Sequence, residues 1–210
     1  MIKGFTVTGT DTDVGKTVFS AMLAQAIGAT YYKPIQAGVT PSTDLADVKR
    51  LSGLAESHFL PETYRLALPA SPHFSAEQEG VDIDPGRLGL PDVAGALVVE
   101  GAGGLCVPVT RRLLYIDLFA EWGLPVILCA RTALGTINHS LLSVEALKRR
   151  GIALHGIVFI GDENADSQRT ILDFSGARGL GRLPLLLELN PQSLKQAFTD
   201  HFKLEDFVPA

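Results

Sequence analysis

The sequence is poor in cysteine, with two in 210 residues, and it holds a single tryptophan among 7% aromatic residues. Cys106 and Cys129 cannot form a disulfide framework. Both lie in apolar, strand-like runs, where a small hydrophobe is the expected role rather than a redox or catalytic one. A basic surplus is also missing, since 23 acidic residues outnumber 18 Lys and Arg for a net charge of -5. With no run of Lys and Arg, the chain is not expected to bind nucleic acid by phosphate neutralisation or to dock on an anionic membrane. Long apolar runs are absent too: Glu100, Arg131 and Glu188 interrupt them before the roughly 18 residues of a membrane span accumulate. The first nine residues enter a structured pattern directly, without a basic region and a sustained apolar stretch behind it. The expectation is a reduced, cytoplasmic protein with no membrane partner.

What is present is enough apolar material for a full core. Hydrophobic residues make up 46% of the chain, and its length is close to the roughly 100–200 residues of one domain, so residues 1–210 are expected to form one α/β domain. Short β-branched runs alternate with segments of helical period, the pattern of a mostly parallel sheet flanked by helices on both faces. Strands are expected at 5–8, 31–35, 96–100, 125–130, 155–160 and 179–183. Helices are expected at 18–27, 44–51 (capped by Ser42 or Thr43), 115–121, 137–150 (capped by Thr136) and 165–174 (capped by Asn164). Runs such as Leu97-Val98-Val99 and Val126-Ile127-Leu128 are apolar on successive residues, as strands buried on both faces are. Residues 54–91, with prolines at 61, 69, 72, 85 and 91, show little periodicity and are expected to run irregularly over the sheet edge. No element is assigned after Leu183.

The chemistry is concentrated in Gly9-Thr10-Asp11-Thr12-Asp13-Val14-Gly15-Lys16-Thr17, which follows the first strand and opens the first helix. This is the context of a phosphate-binding loop, in which backbone N–H groups and the helix dipole converge on an anion. Lys16 is then placed for the β- and γ-phosphates and the Thr17 hydroxyl for Mg²⁺. Thr10 stands where the usual pattern of this loop has its first glycine. Glu100 ends a buried apolar strand at its carboxyl edge, where open α/β sheets bind ligands, and a carboxylate there can hold Mg²⁺. Asp44 and Asp47 stand at the start of a helix, where the dipole favours an acidic side chain.

Five ordered segments resemble the dethiobiotin synthetase family: Thr8–Thr17, Tyr32-Lys33-Pro34-Ile35-Gln36-Ala37-Gly38, Pro69-Ala70-Ser71-Pro72-His73, Val99-Glu100-Gly101-Ala102-Gly103-Gly104 and Leu134-Gly135-Thr136-Ile137-Asn138-His139. The similarity spans residues 3 to about 160. It implies a homodimeric P-loop NTPase fold, with the site at the interface, that joins CO₂ or bicarbonate to 7,8-diaminononanoate using ATP and Mg²⁺. One amine adds CO₂ to give a carbamate, the γ-phosphoryl group moves to that carbamate, and the second amine displaces phosphate. Lys33 and Lys16 carry over as catalytic. Asp13, Val14, Gly15, Lys16, Thr17 and Val18 carry over as nucleotide contacts, with Glu100, Gly101, Ala102 and Gly103. Thr12, Lys33, Ala37, Ser71, Pro72 and Gly104 carry over as substrate contacts, joined by Thr136, Ile137 and Asn138 from the partner subunit. Thr17, Asp44 and Glu100 carry over as the Mg²⁺ set, with Asp47 competing with Asp44 for the second carboxylate position.

Three positions depart from the family pattern. Asp13 stands for the usual Glu, and Ala37 replaces a hydroxyl residue, a loss of about 0.5–1.5 kcal/mol for one hydrogen bond. Val158-Phe159-Ile160-Gly161-Asp162 has no Asn where the family reads adenine; either Asn164 or backbone near Pro184 contacts the base instead or selectivity is relaxed, and other nucleoside triphosphates are expected to be accepted. A nucleotide-switch ATPase of the partitioning or division-site type shares the fold and is the competing reading. Such proteins usually carry an extra lysine in the loop, where this chain has Thr12 and Asp13, and often a basic or amphipathic tail, where residues 202–210 are short and acidic.

Overall fold

The computed structural model describes residues 3–208. The elements run β1 (Lys3–Gly9), α1 (Lys16–Ile27), β2 (Thr30–Tyr32), β3 (Ile35–Ala37), α2 (Asp44–Ser52), β4 (Tyr64–Leu66), α3 (Pro72–Glu79), β5 (Ala96–Gly104), β6 (Pro108–Thr110), β7 (Leu113–Leu114), α4 (Tyr115–Trp122), β8 (Val126–Arg131), α5 (Thr136–Arg149), β9 (Leu154–Ile160), α6 (Ala165–Ser175), β10 (Gly179–Leu183) and α7 (Pro191–His201). Six strands form one parallel sheet in the order β10-β9-β8-β1-β5-β2. The continuous apolar runs predicted for β5 and β8 are buried on both faces. On one face α1, α2 and α7 contribute Phe19, Met22, Leu51, Leu194 and Phe198 to a core, and on the other α4, α5 and α6 contribute Phe119, Leu147 and Ile171.

Several expectations are corrected. The strand read across 31–35 is two strands: β2 pairs with β5, and β3 turns out to pair with β4 in a separate ladder. Pro34 lies between them, where it offers no N–H to a ladder and the chain leaves the sheet. Residues 54–91 are more ordered than expected, since they contain β4 and α3. The latter starts at Pro72, the helix position where a missing N–H costs nothing. Thr136 is not the cap of α5: Gly135 takes that position, and the Thr136 hydroxyl donates to Arg131 O instead. Cys106 is exposed in the turn after β5 rather than buried in a strand, whereas Cys129 is buried in β8 and burial pushes its thiol pKa well up, keeping it protonated.

Of Ser42 and Thr43, it is Thr43 that caps α2, accepting from Ala46 N at 3.2 Å, and Asn164 caps α6 as expected, accepting from Ser167 N at 3.1 Å. Helix α7 was not foreseen. Its signals are Asn190 at the cap, Pro191 in the first turn, and Leu194, Ala197 and Phe198 at helical spacing on the buried side. Among the described residues no helix is long and apolar enough to cross a membrane.

Candidate active site

The sheet register sets the site. Tyr32 is level with Val99, so the next residues of the two chains, Lys33 and Glu100, emerge side by side at the carboxyl edge, and Glu100 is in turn level with Val7 of β1. Beyond Gly9 the loop runs to Gly15, which caps α1 at φ 96°, a left-handed conformation that favours glycine. Lys16, the first residue of α1, is 6% exposed and folds back to donate to Asp11 O at 2.9 Å. Burial pulls its ammonium pKa down, and the charge of Glu100 opposes that. Arg131, at the end of β8, pins the other side of the loop by donating to Asp11 Oδ2 at 3.1 Å and Thr12 O at 3.0 Å.

Below the loop, oxygens from three elements converge. Thr17 Oγ1 of α1 lies 2.8 Å from Asp44 Oδ1 of α2 and 2.9 Å from Glu100 Oε1 of β5. A threonine hydroxyl has one proton and can satisfy only one of these acceptors fully. The Lys33 ammonium sits against the same two carboxylates, pairing with Asp44 and lying 3.2 Å from Glu100 Oε1, with Gly101 O at 3.5 Å. Burial alone would lower the Lys33 pKa, but the charges of Glu100 and Asp44 outweigh it and hold it above the ordinary lysine value. For Asp44 burial acts to raise the pKa, and the charge and hydrogen bond of Lys33 with the Thr17 hydrogen bond outweigh it, so the carboxyl is held low. Asp47, the rival of Asp44, points away and pairs with Arg50 at 3.2 Å.

A cavity of about 780 Å³ opens over this cluster. It brings together Thr12, Asp13, Gly15, Lys16, Thr17 and Val18 of the loop and helix, Lys33, Ala37 and Asp44, Ser71 and Pro72, and Glu100, Ala102 and Gly103. Gly104 is paired with Gly9 beside the loop. Val14 is buried and lines a neighbouring cavity of about 540 Å³ with Gly15, Thr132, Gly161, Asp162, Asn164 and Leu185. Pro184 lies next to that cavity's Leu185 and is not in its lining. Thr136, Ile137 and Asn138 are not brought to Lys33; they line a separate cleft at the start of α5.

Two groups in the site had no role assigned from sequence. Tyr31, fully buried, donates to Glu100 Oε2 at 3.0 Å, and Gln36 accepts from Asp44 N at 3.1 Å. The available signal for Tyr31 was strand alternation, which puts residues 31 and 33 on one side of the chain.

The Gly-Lys-Thr loop at the mouth of α1, closing the edge of a parallel sheet, makes this a P-loop nucleotide-binding protein. A family model described as an AAA domain matches residues 3–193. Solved structures of similar fold include a ParA family ATPase from Chlorobium tepidum, with a TM-score of 0.57, 12% identity and coverage of 97% of this chain and 92% of that one. The MinC:MinD cell division complex of Aquifex aeolicus gives a TM-score of 0.51 at 12% identity, covering 93% and 86%. At that identity the likeness is one of fold alone. An ATP-dependent dethiobiotin synthetase of Rhodopseudomonas palustris is 61% identical over 202 residues, covering 96% of this chain and 95% of its own. The synthetase of Agrobacterium fabrum is 57% identical over 208 residues, with 98% of each chain covered, and that of a Bradyrhizobium species 55% over 210 residues, with all of both covered. The chain belongs to the ATP-dependent dethiobiotin synthetase family.

Proposed function

We propose that residues 1–210 act as one catalytic domain that closes the ureido ring of dethiobiotin from 7,8-diaminononanoate and CO₂, converting ATP to ADP and phosphate. The observation that carries this reading is 61% identity over 96% of the chain to a synthetase of that name. The site geometry supports it. Each species on the path, carbamate, carbamic-phosphoric anhydride and phosphate, is anionic, and catalysis of such a path asks for fixed positive charge rather than a covalent nucleophile. Lys16 and Lys33 supply that charge at the loop and at the cavity floor, and Lys33 remains protonated because its carboxylate neighbours hold its pKa up. Thr12, Ala37, Ser71, Pro72 and the glycine segment from Gly101 to Gly104 shape the substrate space. Val14, Val18 and Ala102, with Asp13 and Gly103, border the nucleotide.

The donor set fits Mg²⁺. Thr17, Asp44 and Glu100 offer hard oxygens gathered about one hydroxyl that can donate to only one of the two carboxylates, a donor set suited to a small oxygen-seeking dication. When bound, the ion supplies charge neutralisation and a template for phosphate oxygens. A second copy of the chain completes the substrate site, with Thr136, Ile137 and Asn138 reaching across; fully exposed Leu134, just before the Gly135 cap of α5, supports such a contact. The reaction is placed in the cytoplasm, without nucleic-acid or membrane partners. Incubation with ATP, Mg²⁺, diaminononanoate and ¹³C-bicarbonate tests the assignment: labelled dethiobiotin is expected by mass spectrometry, and unlabelled or absent product would remove it.

A further inference from the structure

Glu100 is fully buried, and both of its oxygens are engaged. Oε1 faces Thr17 and Lys33, while Oε2 accepts from the Tyr31 hydroxyl at 3.0 Å. The Tyr31 ring is shut into the core with Phe59 and Val98, so its hydroxyl is a fixed donor. A carboxylate on a terminal sp² torsion rotates easily. Without Tyr31, Oε2 would be a buried, charged oxygen lacking a partner, and Glu100 would turn toward another donor. Such a turn takes Oε1 off Thr17. Asp44 is held in a matching way from its backbone. Gln36 Oε1 accepts from Asp44 N at 3.1 Å while Gln36 Nε2 donates to Gly38 O at 2.8 Å, so this 5% exposed side chain ties the start of α2 to the turn after β3.

We propose that Tyr31 and Gln36 are positioning residues that fix the two carboxylates in the geometry needed to take a divalent cation with Thr17. This rests on the Mg²⁺ reading given under the proposed function. Neither bond is required by the backbone ladders of β2 and β3, whose register is complete without a side-chain hydroxyl or amide.

Calorimetric titration of the whole protein with ADP, in Mg²⁺ and in EDTA, tests it without any reliance on turnover. Tyr31→Phe keeps the ring and removes only the hydroxyl; Gln36→Ala probes the second carboxylate should the first variant fail to fold. Both variants are expected to bind ADP in EDTA as the unaltered protein does, because the loop is untouched. The tightening brought by Mg²⁺ is expected to fall about tenfold or more, as loss of a partner behind a metal ligand does. Tyr31→Phe placed on Glu100→Gln should then cost nothing further, since its effect runs through Glu100. Full Mg²⁺-dependent tightening in both variants, or an equal added loss on Glu100→Gln, would overturn the proposal. A lack of Mg²⁺ dependence in the unaltered protein would instead remove the metal reading itself, and the positioning role with it.

Discussion

The ammonium of Lys33 lies 3.2 Å from Glu100 Oε1 with both side chains closed off from water, at 4% and 0% exposure. The pair is made by sheet register, one residue past the level of Tyr32 and Val99. A buried pair of this kind contributes little net stability relative to an apolar substitute, but breaking it by removing one partner is costly. Lys33→Ala is therefore expected to lower unfolding free energy by about 3–5 kcal/mol as well as to reduce turnover at least about a hundredfold. Denaturant titration checks the first. Lys33→Met combined with Glu100→Gln should recover most of the stability and none of the activity.

Lys16 behaves differently. Among the described residues its ammonium makes one hydrogen bond, to Asp11 O, and burial holds its pKa down, so the folded protein gains little from its charge. Lys16→Ala is expected to leave the denaturation midpoint near its original value while turnover falls about a hundredfold or more, the loss typical of one anion-stabilising donor. A large fall in stability would show that the lysine holds the loop together.

The pH dependence of stability follows from Asp44 and Lys33. Asp44 has a lowered pKa, so its contribution is present above the ordinary carboxyl value of 3.8 and is lost as pH falls through the lower folded value. Lys33 has a raised pKa, so its contribution is present below 10.5 and is lost only as pH rises through the higher folded value. The stability difference between the unaltered protein and Asp44→Asn should be flat from about pH 5 to about pH 9 and shrink in acid. A slope across the neutral range would contradict this assignment.

Base selectivity is expected to be weak. Gly161, at φ 126°, has Thr132 Oγ1 2.5 Å from where a Cβ would stand, so an Asn reader cannot occupy the position without rearrangement. Its carbonyl is taken by Arg182 at 2.9 Å, and Asn164 Oδ1 is committed to capping α6. Turnover with GTP and CTP should lie within about a thousandfold of that with ATP, since a larger ratio needs ~4 kcal/mol of base readout.

The central strands and the phosphate loop were legible because local pattern and tertiary role coincide: Leu97–Val99 of β5 and Val126–Ala130 of β8 are apolar on successive residues because both faces are covered. The division at Pro34 was less legible, since a proline in an apolar run reads as part of a strand end until the partner strand is known. That β4 pairs with β3 depends on contacts 29 residues apart, Ile35 with Tyr64, which no local pattern encodes. In the site, Lys16, Thr17, Lys33 and Glu100 were readable from their motifs, whereas Asp44 was preferred to Asp47 only through the family resemblance, and the geometry turns Asp47 to Arg50 instead. The roles of Tyr31 and Gln36 stayed hidden because a tyrosine in a buried strand and a glutamine beside it look like ordinary filling of a sheet.

The central claim is that ATP turnover is tied to building a cyclic urea. The direct test is to measure ADP and dethiobiotin together with ATP, Mg²⁺ and bicarbonate, adding diaminononanoate last. ADP release that waits for the diamine and matches dethiobiotin mole for mole is predicted. ADP release without the diamine, stimulated by DNA or lipid vesicles, would contradict it and favour a nucleotide switch built on the same fold.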